Sequence, residues 1–222
     1  LVPGARGGRE GDRLRGAAAI LNGASTYVLS RMAGGDEPMN AVLNDARRLG
    51  YAEADPSADI DGDDAAAKLV VLAGIAFQRH LRLGDIPRHT IRPVSSADFR
   101  YARSLGCTIR QIAMVATKGD RFHAFVGPAL VRRGTNCGLN MGANNVVTIT
   151  GHYGSENSFS GPGAGGSATA VAVVSDLLSL QQRTQDRGEE WPAGSVTMPP
   201  PWRGFGSVAV TVTVPSGYVW PA

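Results

Sequence analysis

The longest apolar run in this chain of 222 residues extends from Ala65 to Phe77 and includes a single charged residue, Lys68. A helix needs about 20 apolar residues to cross a bilayer, so this run is too short to be a membrane span. Its surroundings predict a long helix over roughly Gly62 to Arg82, apolar on most faces and therefore buried. The chain must accordingly supply other elements that cover this helix.

Runs of β-branched and apolar residues predict the strands that would form a sheet. They are Arg13 to Leu21, Cys107 to Thr117, Arg121 to Val131, Asn145 to Thr150 and, near the end of the chain, Ser207 to Val214. A hairpin turn is predicted at Lys118-Gly119-Asp120, whereas Ser155 to Ser160 is a poor strand. Helical spacing predicts further helices over Ala24 to Met32, Pro38 to Leu49 capped by Asp36, Ser96 to Leu105 and Ser167 to about Gln181.

Charge and cysteine content exclude several classes of protein. Lys and Arg total 22 against 19 Asp and Glu, and no basic run exists, which argues against nucleic acid as the main partner. The two cysteines, Cys107 and Cys137, are far apart and form no C-x-x-C motif, so we expect reduced thiols and a cytoplasmic protein. The first residues lack the apolar region of a signal peptide and an initiator Met, so we expect a chain that is processed, truncated or taken from a longer one.

Six carboxylates crowd the segment from Glu53 to Asp64. Three of them have the first spacings of a calcium-binding EF-hand, but the sixth position is Asp64 where glycine is required, and the twelfth is Val70 where glutamate is required. We therefore reject a calcium loop. The simplest alternative is an acidic, solvated helix entrance, where carboxylates interact favourably with the helix dipole.

Lysine is rare in this chain, since only Lys68 and Lys118 accompany twenty arginines. Lys68 follows Asp64 by four residues, so both side chains lie on one face of the predicted helix. The pair is either an ordinary exposed ion pair or an ammonium held beside a carboxylate for proton transfer, because desolvation can lower the pKa of a lysine. The residues alone leave both interpretations open.

A glycine-rich segment, Gly161 to Gly166, matches the pattern G-x-G-x-x-G of dinucleotide-binding proteins. The match is weak, because no good strand precedes it and no β-α-β unit surrounds it. It is either a tight turn or a helix start whose N–H groups face a ligand without a Rossmann domain. The four histidines form no metal-binding spacing, so we predict no metal site.

Three blocks of the sequence together resemble homoserine dehydrogenase. They are ILNGASTYVLSRM from Ile20, LNDARRLGYAEADPSADIDGDDAAAKLVVLA from Leu43, and FSGPGAGGSATAVAVVSDLL from Phe159. The weaker blocks ARSLGCTIRQI and GANNVVTITG lie in the family's order, and the resemblance covers roughly residues 10 to 180. It implies an α+β fold, in which a mixed β-sheet packed by helices forms the substrate-binding and dimerisation domain.

The resemblance also implies an activity and a set of site residues. Members interconvert homoserine and aspartate 4-semialdehyde with NADP or NAD, in the biosynthesis of threonine and methionine. By position, Lys68 resembles the catalytic proton donor and acceptor, and Asp64 its carboxylate partner. The implied substrate-binding residues are Glu53, Asp59, Tyr51 and Gly23, and the implied cofactor-binding residues are Gly161, Gly163, Ala164 and Gly165. Ala24 stands where the family usually has threonine.

The resemblance extends neither to a Rossmann domain nor to the end of the chain. We expect one domain over residues 1–182, and a proline-rich linker with a short tail over 183–222. Dinucleotide chemistry would then need a nucleotide-binding domain in cis or in trans. By the same resemblance, the helix from Ser167 would pack beside that domain. We also expect a homodimer. The alternatives are a non-catalytic binding or assembly protein derived from this domain, and an α+β domain whose acidic segment only solubilises a helix.

Overall fold

The computed structural model describes residues 12–118, 121–163 and 166–186, and two short strands, Val196–Thr197 and Thr211–Val212. Side chains are described as far as residue 180. The chain separates into two compact units, Leu1–Ala168 and Thr169–Ala222, and the residues of the candidate active site all belong to the first of them.

A five-stranded antiparallel sheet is the frame of the first unit. Its strands lie in the order β3-β2-β1-β4-β5. They are β1 (Leu14–Ile20), β2 (Cys107–Lys118), β3 (Arg121–Arg132), β4 (Asn144–Gly151) and β5 (Glu156–Pro162). The expected α+β class is confirmed. A mixed sheet was expected, but all four strand pairs of this sheet are antiparallel. Parallel pairing in the described residues is limited to an isolated bridge between Arg88 and Val126.

Strand β1 is central because it is hydrogen-bonded to β2 on one side and to β4 on the other. Small residues allow this close packing: a Cβ on Gly16 would lie 2.9 Å from the carbonyl oxygen of Val115, and Ala17 and Ala19 are buried. The strand ends at Ile20, and Leu21 follows it at the edge of the helical layer. The chain then turns directly into a helix at Asn22.

Seven α-helices are present among the described residues. They are α1 (Gly23–Gly34), α2 (Met39–Arg48), α3 (Ser57–Ile60), α4 (Asp63–Phe77), α5 (Ser96–Ser104), α6 (Asn136–Leu139) and α7 (Gly166–Asp186), and a 3₁₀ turn follows α4 at Leu83–Asp85. One apolar cluster joins α4 to β1, β2 and β4, and another joins α1, α2 and α5 around Ile109. None of the helices in the described ranges combines the length and apolar character that a membrane span requires.

The long apolar helix is shorter and less buried than predicted. Helix α4 ends at Phe77 because Gln78 adopts a left-handed conformation with φ of 54°. Its N-cap, Gly62, also has positive φ, at 88°, which separates α3 from α4 by a sharp turn. Only one face of α4 is buried, and Val71 on the other face is 53% exposed.

Other boundaries also differ from the prediction. Pro38, and not Asp36, is the N-cap of α2. The segment Ser155 to Ser160, predicted to be a poor strand, lies largely in edge strand β5. Its hydrogen bonds to β4 stabilise an extended conformation that its composition alone does not favour. Of the strand predicted over Ser207 to Val214, the structure describes Thr211–Val212, which pairs with Val196–Thr197, and the remainder lies outside the described residues.

An ion pair fixes the position of the acidic segment, which is therefore not merely a solvated helix entrance. Arg92 donates from Nε and Nη2 to the two oxygens of Asp61, each at 2.8 Å, and Thr90 donates to the same carboxylate at 2.7 Å. These bonds hold the connection before α5 against the end of α3. The hydrogen bond from Arg92 is the largest cause that lowers the pKa of Asp61, to about 2.

We predict that Asp61→Asn destabilises the chain at neutral pH and removes part of its acid sensitivity. A carboxyl whose pKa is lower in the folded state contributes stability above its ordinary value of 3.8, and this contribution is lost as the pH falls toward about 2. Urea unfolding at a series of pH values should show the gap between parent and variant closing in that window. Asp36→Asn, which removes an exposed charge, is the control; equal pH profiles for parent and Asp61→Asn would contradict the assignment.

Candidate active site

The side chains singled out in the sequence converge where β1 ends and α1 begins. Asn22 is the N-cap of α1, and its Oδ1 accepts a hydrogen bond of 2.8 Å from the backbone N–H of Ser25. Asparagine is favoured at this position because it satisfies an N–H group that has no partner in the helix. The cap fixes the orientation of the Asn22 carboxamide, so its nitrogen faces the acidic segment.

Asn22 joins two carboxylates that the resemblance singled out, Asp59 as a substrate-binding residue and Asp64 as the partner of Lys68. Its Nδ2 donates to Asp59 Oδ1 at 2.6 Å and to Asp64 Oδ2 at 2.8 Å. An amide nitrogen carries two hydrogens, so each carboxylate receives one of them. The carboxamide thereby holds together α3, which carries Asp59, and α4, which carries Asp64.

Lys68 lies beside this bridge on the next turn of α4. Its ammonium donates to Asp64 Oδ2 at 2.7 Å and to the backbone carbonyl of Leu21 at 3.0 Å. The ammonium has a third N–H, for which the described residues provide no acceptor. The Lys68 side chain is 46% exposed, so two fixed acceptors, and not deep burial, define its surroundings.

Asp59 is the carboxylate whose ionisation the fold disfavours. Burial is the largest cause that raises the pKa of Asp59, and the charges of Asp64 and Glu53 act in the same direction. The hydrogen bond from Asn22 and the charge of Lys68 oppose them. Asp59 thus lies within reach of two other acidic charges and one lysine, an excess of negative charge that suits a ligand bringing its own cation.

Tyr51 and Gly23 lie at the border of the group. The ring of Tyr51 packs on that of Tyr27 from α1, with 5.1 Å between ring centroids, and it remains exposed. A Cβ on Gly23 would lie 3.0 Å from the carbonyl oxygen of Ala143, so glycine here allows the loop before β4 to approach α1. The roles predicted for these two residues stay predictions.

The glycine-rich segment reaches the same place from β5. Gly161 pairs with Asn145 in the ladder of β4 and β5, and a Cβ on Gly163 would overlap the Asn145 carboxamide. Asn145 in turn donates to the carbonyl of Leu21 at 3.4 Å, the carbonyl that also accepts from Lys68. Ala164 and Gly165 lie outside the described residues. The antiparallel surroundings agree with the rejection of a Rossmann fingerprint.

Sequence reasoning missed Asn22 and Asn145, which connect the predicted residues to one another. Asn22 stands between a predicted strand and a predicted helix, and an asparagine at such a place is a capping signal that could have identified it. Asn145 stands at the start of an apolar strand and gives no comparable signal. No cluster of three or more His, Cys, Asp or Glu side chains suited to a metal ion is present in the described part of the chain.

The sequence profile of the homoserine dehydrogenase family matches residues 2–178. The chain belongs to the homoserine dehydrogenase family. It is 40% identical over 190 residues to the homoserine dehydrogenase of Mycobacterium leprae, which covers 83% of this chain and 43% of that protein. It is 39% identical to the Synechocystis enzyme over 174 residues, 77% of this chain and 40% of that protein.

Solved structures of homoserine dehydrogenases have the same fold. The Thiobacillus denitrificans enzyme superimposes with a TM-score of 0.80 at 34% identity, over 86% of this chain and 44% of that one. A hyperthermophilic archaeal mutant in complex with NADPH gives 0.68 at 26% identity, over 82% of this chain and 52% of that one. The chain thus spans less than half the length of the curated relatives described above.

We predict that Asp59→Asn makes the chain more stable at pH 7. A carboxyl whose pKa is higher in the folded state than its ordinary 3.8 destabilises the fold when ionised, whereas asparagine stays neutral and its Oδ1 can still accept from Asn22. The gain should vanish as the pH falls below 3.8, where the acid is neutral in both states. Urea unfolding measures it; a loss of stability at pH 7 would show that the charge of Asp59 supports the fold.

Proposed function

We propose that this chain supplies the substrate-binding and proton-transfer part of a homoserine dehydrogenase, which interconverts homoserine and aspartate 4-semialdehyde with NADP or NAD. The observation that carries the proposal is the position of Lys68. Its ammonium is held by one carboxylate and one backbone carbonyl, and one N–H remains for a substrate oxygen. Family membership supports the reaction class.

Lys68 would transfer the proton of the substrate alcohol. When homoserine is oxidised, its carbon–hydrogen bond breaks with loss of a hydride while the hydroxyl proton passes to the Lys68 amine. In the reverse direction, negative charge develops on the aldehyde oxygen, and the ammonium stabilises that charge and returns the proton. Asp64 fixes the direction of the amine, since the Asp64–Lys68 contact of 2.7 Å restricts its rotation.

The acidic residues would bind the α-ammonium of the substrate. The charges of Glu53, Asp64 and Asp59 act on one another, and Lys68 offsets only part of them. An incoming ammonium would relieve this repulsion, and would favour the ionised form of Asp59. Tyr51 and the backbone at Gly23 would form the border of the substrate pocket.

The residues present also fit a nicotinamide beside Lys68. Asn145 is buried, and its Oδ1 has no hydrogen-bond partner in the described residues, so it offers an acceptor for a ligand N–H. Gly161 has open space where a side chain would stand, Gly163 lets the backbone pack directly on the Asn145 carboxamide, and Ala164 and Gly165 complete the proposed cofactor segment. NADP or NAD, when bound, accepts or supplies the hydride.

A nucleotide-binding domain, in cis or in trans, completes this proposal. Several apolar side chains of α7 are exposed, among them Val171, Val174 and Leu178, as expected of a surface that a further domain covers. We also propose a homodimer, through the sheet face opposite α4. Met114 is 38% exposed there, between its strand neighbours Ala18 and Phe125.

We predict that Lys68→Met abolishes turnover and leaves the fold intact. An exposed ion pair contributes only about 0–1 kcal/mol to stability, whereas the proton donor has no substitute. The assay is nicotinamide absorbance with homoserine and each oxidised cofactor, on the chain alone and with a nucleotide-binding domain from a relative added.

Lys118→Met, at the other lysine of the chain, is the matched control and should keep the parent's rate. Full activity in Lys68→Met would refute the role of Lys68. Homoserine binding without turnover, even after addition of the nucleotide-binding domain, would favour the alternative of a non-catalytic binding or assembly protein.

We predict that Met114→Glu converts a dimer to monomers. A charge at the centre of an apolar sheet face would be buried without a partner on association, which is costly. Sedimentation velocity measures the change in mass. Leu105→Glu, which adds the same charge at an exposed position after α5, should leave the mass unchanged; a parent chain that is already monomeric would refute the dimer.

A further inference from the structure

Gln111 is a buried amide on the face of β2 that otherwise packs apolar residues against the helical layer. It is 3% exposed, and it lies between Ile109 and Ala113, which point to the same face and belong to apolar clusters. A polar group in such a place is costly unless it is hydrogen-bonded at both ends. The two hydrogen bonds of the Gln111 amide therefore identify the elements that this side chain holds in place.

Both ends of the Gln111 amide are bonded to elements of the candidate site. Nε2 donates to the backbone carbonyl of Asp59 at 2.9 Å, and Oε1 accepts from the hydroxyl of Ser25 at 2.8 Å. Gln111 also packs at the start of α4, since a Cβ on Gly62 would lie 3.7 Å from its Nε2. One side chain thus touches α1, α3 and the N-cap of α4.

These contacts close a ring of hydrogen bonds. Asn22 Nδ2 donates to the Asp59 carboxylate, and the Asp59 carbonyl accepts from Gln111. Gln111 accepts from the Ser25 hydroxyl, and the Ser25 N–H returns to Asn22 Oδ1. The Asp59 residue is therefore held at its carboxylate by Asn22 and at its backbone by Gln111, so its side chain has little freedom to move.

We infer that Gln111 is a positioning residue, which acts through Ser25 and the backbone of Asp59 to hold the acidic group in the geometry that binds the substrate ammonium. The inference rests on the proposed function, since it deepens the account of that same site. Gln111 is buried beneath α3 and does not itself belong to the substrate-binding side chains. Its contribution is to keep Asp59 at hydrogen-bonding distance from Asn22, and Asn22 in turn holds Asp64 beside Lys68.

The test is a double-mutant cycle on the full chain with homoserine as the probe. Gln111→Met keeps the length of the side chain and removes both hydrogen bonds, and Ser25→Ala breaks the ring at a second link. Calorimetry should show homoserine binding weakened about tenfold by each change, and by about the same factor in the double variant, because one break already opens the ring. If Gln111→Met fails to fold, Ser25→Ala alone tests the ring against the same control.

Ile109→Val is the control for a merely structural role. It lies on the same face of the same strand and lowers stability by removing a buried methyl group, without touching the ring. It should lower the melting temperature and leave the affinity for homoserine unchanged. Unchanged affinity in Gln111→Met, effects that multiply in the double variant, or an equal loss of affinity in Ile109→Val would each overturn the inference.

A further readout separates this inference from the proposed function. If the parent chain binds no homoserine, the proposed function fails, but the ring can still be tested in the ligand-free protein. NMR signals of the Asn22 carboxamide protons and the Asp59 carboxyl carbon should then shift in Gln111→Met and Ser25→Ala, and stay in place in Ile109→Val. Signals that do not move in the two ring variants would refute the positioning role.

Discussion

The carboxamide of Asn22 connects the parts of the molecule on which the candidate site depends. It caps α1 through its oxygen and joins two carboxylates from different helices through its nitrogen. All three of its hydrogen-bonding groups are used, so it cannot rotate without leaving buried or half-buried groups without partners. The carboxylates of Asp59 and Asp64, which would otherwise repel each other, are both bonded to this one neutral donor.

The sheet makes this connection possible because β1 ends inside the structure. Hydrogen bonds to β2 and β4 fix β1 on both sides, and the small residues Gly16, Ala17 and Ala19 let its neighbours approach closely. The carbonyl of Leu21 at the end of this strand receives both Lys68 and Asn145. Rigid elements therefore carry the groups that we propose to transfer protons and bind ligand, a property that precise chemistry requires.

In the proposed site, stability and function oppose each other at Asp59. Burial and neighbouring charges raise the pKa of Asp59, so its ionised form is held at a cost to the fold. Asp61, two residues later, is in the contrary situation, because Arg92 lowers its pKa to about 2 and the pair supports the fold. Two carboxylates of one short acidic segment thus have pKa values shifted in opposite directions. The groups that surround each of them in the fold, and not their neighbours in the sequence, cause the difference.

The sequence by itself determined the family, the α+β class and most of the elements. Hydrophobic spacing and glycine positions predicted α1, α5 and the hairpin of β2 and β3, since these depend on local residue patterns. The spacing of four between Asp64 and Lys68 predicted their contact, because a helix brings such residues together wherever it lies. The end of α4 before Gln78 and the formation of strand β5 could not be predicted in this way, because packing against other elements decides them.

Only the tertiary structure decided which polar residues act together. Asn22, Gln111 and Asn145 come from three distant parts of the sequence, and no pattern along the chain connects them. Asn22 and Gln111 become parts of one hydrogen-bonded ring only when β1, β2 and the acidic segment are folded against one another, and Asn145 is joined to them through the carbonyl of Leu21. The physical reason is that a hydrogen bond depends on distance and direction in space, which spacing along the chain reports only within a single helix or strand.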